Sequence, residues 1–147
     1  MLSLQDKETI LNETPLFAGC VTGSLAAIAE IARERHCGKG EAIYEAGSEA
    51  VDVFVLVRGL VSFTTDSGVG TAFVETLMKR HMVFGWAALI PDHTRRLGGA
   101  KCLEETTLLA INGDALMDVL GRHPQTGFTV MRRLTSMIAN TFIDKRT

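Results

Sequence analysis

Val51-Asp52-Val53-Phe54-Val55-Leu56-Val57-Arg58-Gly59-Leu60-Val61-Ser62-Phe63 is the stretch whose reading decides the fold. Two runs rich in β-branched and aromatic residues, 51–57 and 60–63, flank Arg58-Gly59, and the glycine supplies what a tight turn between strands needs. Upstream, 42–44 reads as a shorter strand closed by Glu45-Ala46-Gly47-Ser48. Downstream, 71–78 follows the turn Asp66-Ser67-Gly68-Val69-Gly70, and 98–103 and 107–111 flank Glu104-Glu105. Nine of the 14 glycines fall between Gly38 and Gly99, whereas the chain holds 3 prolines. No helix-length segment separates these strands, so parallel crossovers are excluded and an antiparallel sandwich, roll or barrel is expected.

Helical patterns flank this middle. On the N-terminal side, Ser24 is placed to cap a helix whose apolar positions are Leu25, Ile28, Ala29, Ile31 and Ala32, with Arg33-Glu34-Arg35 following and Gly38 and Gly40 as its stop. On the C-terminal side, Asn112 is placed to cap a helix carrying Ala115, Leu116, Val119 and Leu120. Pro124 suits the first position of a last, long helix running to about residue 144. Phe128, Met131, Leu134, Ile138 and Phe142 form one stripe on that helix, and Val130 and Met137 form a neighbouring one. Two stripes fit burial against the β-roll and against a second copy; packing of both within one monomer is the alternative. The expected class is α+β: about 11–33 N-terminal helical, 34–111 an antiparallel, jelly-roll-like β-roll, and 112–144 two C-terminal helices, all in one domain.

The chain has 147 residues with 15 Lys+Arg against 17 Asp+Glu, a formal net charge of −2. That balance carries no basic excess of the kind nucleic acid attracts. The longest uncharged run, 14–29, is broken by Pro15, Gly19, Gly23 and Ser24 and falls short of the roughly 20 apolar residues of a membrane helix. Met1-Leu2-Ser3-Leu4-Gln5-Asp6-Lys7-Glu8 lacks the basic-then-apolar pattern of a secretory signal, so a cytoplasmic location without membrane partners is expected. Cys20, Cys37 and Cys102, odd in number and without a Cys-x-x-Cys pair, read as reduced core thiols.

Catalytic constellations fail on spacing. His36, His81, His93 and His123 lie far apart, with no His-x-His and no His-Glu-x-x-His, so no metal is expected. No Gly-x-Ser-x-Gly elbow exists, and neither Gly38-Lys39-Gly40 nor Gly68-Val69-Gly70 precedes a helix that would hold phosphate. Glu104 and Glu105, adjacent in an extended segment, point to opposite faces and read as a solvated turn. The chain is expected not to be an enzyme, and no catalytic residue is assigned.

The segment Val83-Phe84-Gly85-Trp86-Ala87-Ala88-Leu89-Ile90-Pro91, followed by Asp92-His93-Thr94-Arg95-Arg96, carries more. A strand end, a glycine and small residues stopped by Pro91 predict a single helical turn, whose leading N–H groups suit an anion. An arginine a few residues on can return to the same anion as a planar fork.

With these residues in view, the chain resembles the cyclic nucleotide-binding domain of the catabolite activator superfamily, from about residue 11 to 142. Gly40-Glu41-Ala42-Ile43-Tyr44-Glu45-Ala46-Gly47 is similar to that family's first turn motif, and 52–61 to its strand, turn and strand. Phe84-Gly85 with Ala88-Leu89 resembles its phosphate-binding cassette, and Thr106-Thr107-Leu108-Leu109-Ala110-Ile111 the strand that closes the roll. The resemblance implies a pocket for a cyclic nucleotide (cyclic AMP or cyclic GMP) or a related anion, with Gly85 offering a backbone amide to the phosphate and Arg96 binding it. Trp86, Ala87 and Leu97 complete the candidate ligand-binding set, and Thr141 falls where a base contact from the last helix is expected. It further implies a homodimer through that helix.

Three positions depart from the family pattern. Trp86 stands where a glutamate accepts the ribose 2′-hydroxyl, and an indole, which only donates, cannot reproduce that bond. Leu97 replaces a small hydroxyl residue beside the arginine, and His81 stands at the cassette's leading glycine. Two readings of Trp86 stay open: it stacks on a base or fills the cavity for a different ligand, or it plugs an abandoned pocket. Two functions follow from them: a small-molecule-sensing regulatory module, or a ligand-free interaction and dimerisation domain. Direct DNA binding is not expected, since only Lys145-Arg146-Thr147 follow the last helix and a helix-turn-helix has no room. Any output is then expected to pass through a partner protein.

Overall fold

The computed structural model describes residues 1–66, 73–78, 80–92 and 95–144, with backbone alone for 65–66, 73–78 and 141–144. The predicted turn at 66–70 therefore lies largely outside the described residues, as do His93, Thr94 and Lys145-Arg146.

The chain opens with helix α1 (Leu4–Glu13). Ser3 starts it with a reciprocal cap: its Oγ accepts the Asp6 N–H at 3.0 Å while Asp6 Oδ2 accepts the Ser3 N–H at 3.0 Å. Helix α2 (Thr22–Ile31) begins two residues before the predicted cap. Ser24 instead lies inside its first turn, its hydroxyl 2.8 Å from that of Thr126, so it ties this helix to the last one. The residues read as the tail of that helix form strand β1 (Ala32–Cys37).

Seven more strands follow: β2 (Ala42–Tyr44), β3 (Asp52–Arg58), β4 (Val61–Asp66), β5 (Phe73–Met78), β6 (Val83–Phe84), β7 (Gly98–Cys102) and β8 (Thr106–Asn112). They pair antiparallel in two four-stranded sheets, ordered β1-β8-β3-β6 and β2-β7-β4-β5. Helices α3 (Gly113–Arg122) and α4 (Pro124–Asp144) close the chain. Asn112 caps α3 as expected, its Oδ1 accepting the Ala115 N–H at 2.9 Å.

Strand alternation explains why β3 and β8 are buried on both faces. Val53, Val55, Leu109 and Ile111 turn to a cluster shared with Leu25, Ile28, Leu116 and Leu134 of the helices. Phe54, Leu56, Leu108 and Ala110 turn the other way, to the roll interior, with Ile43, Val61, Phe84, Ala100 and Cys102. The first sheet is thus a wall between a helical layer and the roll. On α4 only part of the predicted apolar surface is used: Val130 and Leu134 are buried, whereas Phe128 is 66 % exposed.

Gly113 sits where α3 meets the cassette. A Cβ there would overlap the carbonyl oxygen of Ala88, so only glycine lets α3 begin this close.

Candidate functional site

The cassette is built on β6, whose Phe84 pairs with Phe54 of β3. Gly85 then adopts a left-handed backbone, φ 77°, which breaks the strand and starts a 3₁₀ turn at Trp86–Leu89. This is the single helical turn that the sequence predicts. The Trp86 and Ala87 N–H groups lead it and have no carbonyl within the turn to bond. A Cβ on Gly85 would lie 3.1 Å from both Arg96 Nη1 and Phe54 Cδ2 and 3.3 Å from the Asp52 carbonyl oxygen. His81 also holds a positive φ of 66°. Histidine tolerates this backbone better than most residues other than glycine.

Arg96 is the centre of the site. It is 5 % exposed, and its guanidinium reaches inward from the segment before β7. Nη1 donates to the Gly85 carbonyl at 2.9 Å and Nη2 to the Asp52 carbonyl. The guanidinium carbon lies 4.1 Å from the Tyr44 ring centroid and 5.9 Å from that of Phe54. Those rings continue as a stack: Tyr44 on Phe54 with centroids 5.9 Å apart, and Phe54 on Phe84 at 5.3 Å. Nε is buried and has no hydrogen-bond partner among the described residues. Burial lowers the Arg96 pKa from its ordinary value, opposed by Tyr44 and then by Asp52. The Asp52 carboxylate itself is 2.7 Å from Arg33. Arg96 is therefore a desolvated cation held by carbonyl dipoles and aromatic faces, with its Nε donor unused among the described residues.

Among the predicted site residues, the structure brings Gly85 and Arg96 into direct contact. Trp86 is placed differently from either expectation: it is half-buried and packs against the helical cluster, while Phe84, Phe54 and Tyr44 occupy the interior. The left-handed turn at Gly85 reverses the alternation, sending residue 86 to the helical side of the wall. Ala87 is half-buried in the same turn, and Leu97 is 67 % exposed. Arg95 points outward, its Nη1 bonding the Gly47 carbonyl at 2.9 Å, so Arg96 is the inward arginine. Thr141 lies on the backbone of α4, but its side chain is outside the described residues. Sequence reasoning missed Tyr44, Phe54, Phe84 and the Asp52 carbonyl as the walls around Arg96.

A family model of the cyclic nucleotide-binding domain matches residues 34–123. The chain belongs to the cyclic nucleotide-binding domain family. Among curated proteins it is similar to glutaminase 2 of Bradyrhizobium diazoefficiens, 31% identical over 140 residues, covering 93% of this chain. The chain spans about a fifth of that relative's length, 21%. Among solved structures it is similar to the catabolite activator protein of Thermus thermophilus, with a TM-score of 0.74 and 21% identity over 90% of this chain and 60% of that one. The regulatory domain of Toxoplasma gondii PKA, crystallised with cAMP, gives 0.80 and 15% identity over 93% of this chain and 50% of that one. This cyclic nucleotide-binding domain thus has the helix-flanked, antiparallel roll that its sequence predicts.

Proposed function

We propose that the domain is a small-molecule-sensing regulatory module that takes a cyclic nucleotide or a related anion at the cassette. The carrying observation is Arg96: a buried guanidinium with an unpartnered Nε, bonded to the carbonyl of the glycine that opens the anion-facing turn. A buried cation held by carbonyl dipoles and aromatic faces gains strongly from an anion, because charge-assisted hydrogen bonds are worth about 1.5–3 kcal/mol each. The phosphate is expected between the Gly85, Trp86 and Ala87 amides and Arg96. The solved relative crystallised with cAMP makes cyclic AMP the first ligand to test, and cyclic GMP the second.

Signalling is expected to leave through the helices. The cassette turn packs against both β3 and α3 and carries Trp86 on the helical cluster, so a shift of the turn on ligand binding is felt there. The outward residue Phe128, with Met131 and Ile138 half-buried, supports pairing of α4 with a second copy. The module is expected to be non-catalytic, and its effector to be a partner protein or an attached domain.

One observation favours the ligand-free reading as an alternative. Nη1 and Nη2 of Arg96 already join the cassette to the start of β3, which is what a purely structural clamp would do. Thermal unfolding with cyclic AMP or cyclic GMP separates the two readings. Ligand-dependent stabilisation that Arg96→Gln abolishes supports the sensor, and no stabilisation by any cyclic nucleotide supports the clamp.

A further inference from the structure

The helical layer does not cover the whole outer face of the first sheet. At the end where it stops, a groove of about 460 Å3 opens, on the face of the sheet opposite the one that holds Arg96. Its floor is a row across three strands: His36 of β1 stands opposite Thr107 of β8, which stands opposite Arg58 of β3. Arg80 enters from the turn before β6, and Glu34 and Leu2 close the near side.

The charges in this groove are unequally satisfied. Both Glu34 oxygens are engaged: Oε1 accepts the Leu2 N–H at 2.6 Å, and Oε2 meets His36 Nε2 at 2.5 Å. The other ring nitrogen of His36 lies 3.2 Å from the Thr107 hydroxyl. Neither arginine, by contrast, has a carboxylate partner among the described residues. Arg80 Nε donates to His81 Nε2 at 3.2 Å, and the His81 ring in turn meets Glu13 at 3.3 Å. Arg58 and Arg80 are both exposed, so their forks are free to converge on one guest.

Two guanidinium-bearing side chains lining one hollow match the oxygens and the charge of a phosphate monoester better than a single carboxylate. We propose that this groove is a second anion site, binding a phosphate monoester or inorganic phosphate between Arg58 and Arg80 over Thr107 and His36. It is separate from the cassette, because sheet β1-β8-β3-β6 stands between the groove and the roll interior that holds Arg96. The phosphate is either a small free molecule or one carried on a phosphorylated side chain of a partner.

The test uses the whole chain and two probes, inorganic phosphate and a phosphoserine peptide, with the unphosphorylated peptide as blank. Binding is followed by calorimetry and by the His36 ring resonances. Saturable binding of either phosphorylated probe is expected, with movement of the His36 signals, and the tighter probe identifies the source. The double variant Arg58→Gln/Arg80→Gln, at exposed positions, is expected to weaken binding at least about tenfold. Arg122→Gln, on the exposed end of α3, is expected to leave it unchanged. Absence of saturable binding of both probes, or an equal loss in Arg122→Gln, overturns the proposal, since the latter means net charge alone is at work. Neither outcome bears on cyclic nucleotide binding at Arg96.

Discussion

The Arg96 guanidinium lies over the face of Tyr44, 4.1 Å from the ring centroid, inside the β-roll. Each group solves a problem for the other. The ring offers a buried cation its negative face, and the cation ranks second to burial in setting the phenol's acidity. Tyr44 in turn rests on Phe54, and Phe54 on Phe84, so Arg96 is backed by a continuous aromatic column.

Burial pushes the Tyr44 phenol up to about 12, against the opposing pull of Arg96. Tyr44 is the chain's one tyrosine, so a spectrophotometric titration reads it directly. Ionisation is expected near 12 rather than near the free value of about 10. Because the folded pKa is the higher, the unfolded chain loses this proton first as pH rises. The associated stability is complete below about 10 and declines as pH rises towards and through about 12. Titration at the free value would show that the phenol is open to water.

Gly85→Ala places a Cβ at a left-handed φ and 3.1 Å from both Arg96 Nη1 and Phe54 Cδ2. Backbone strain alone is expected to cost about 1–2 kcal/mol, measured by denaturant unfolding. Displacement of Arg96 is expected to weaken cyclic nucleotide binding further than this stability loss explains.

Cys37 and Cys102 are buried in the roll, and burial pushes the Cys37 thiol up to about 12. Cys20 is half-buried at the helical end. Alkylation of the native protein near pH 8 is expected to label Cys20 first and to leave Cys37 and Cys102 unmodified until the chain unfolds. Peptide mass mapping checks this, and early labelling of Cys37 would contradict the packing of the roll.

The roll was legible because its strands are short runs rich in β-branched and aromatic residues and its turns carry glycine, as at 51–63. Strand β1 was not: Ala32-Arg33-Glu34-Arg35-His36-Cys37 is an edge strand, and its charged residues, which guard an edge against pairing, look like a helix tail. Helix α1 starts at Leu4, before the residue 11 at which the helical part was expected to start. It is mostly polar, and its one clear signal was the cap formed by Ser3 and Asp6. In the site, the residues alone showed a turn opening at Gly85 and an arginine following it, the family resemblance pointed to Arg96, and the direction of Trp86 was legible in neither. Which side of a sheet a residue takes after a left-handed glycine depends on what already fills each side, and here Phe54 and Phe84 fill the roll.

Arg96 and the cassette are proposed to hold the anion of a cyclic nucleotide. Trp86 is the chain's one tryptophan and joins the cassette to the helical layer, so its fluorescence is the most direct reporter. Titration with cyclic AMP and cyclic GMP is expected to give a saturable change in emission, accompanied by a rise in Tm, and Arg96→Gln is expected to abolish both. A flat emission and an unmoved Tm with both nucleotides, or a response that survives Arg96→Gln in full, would contradict it.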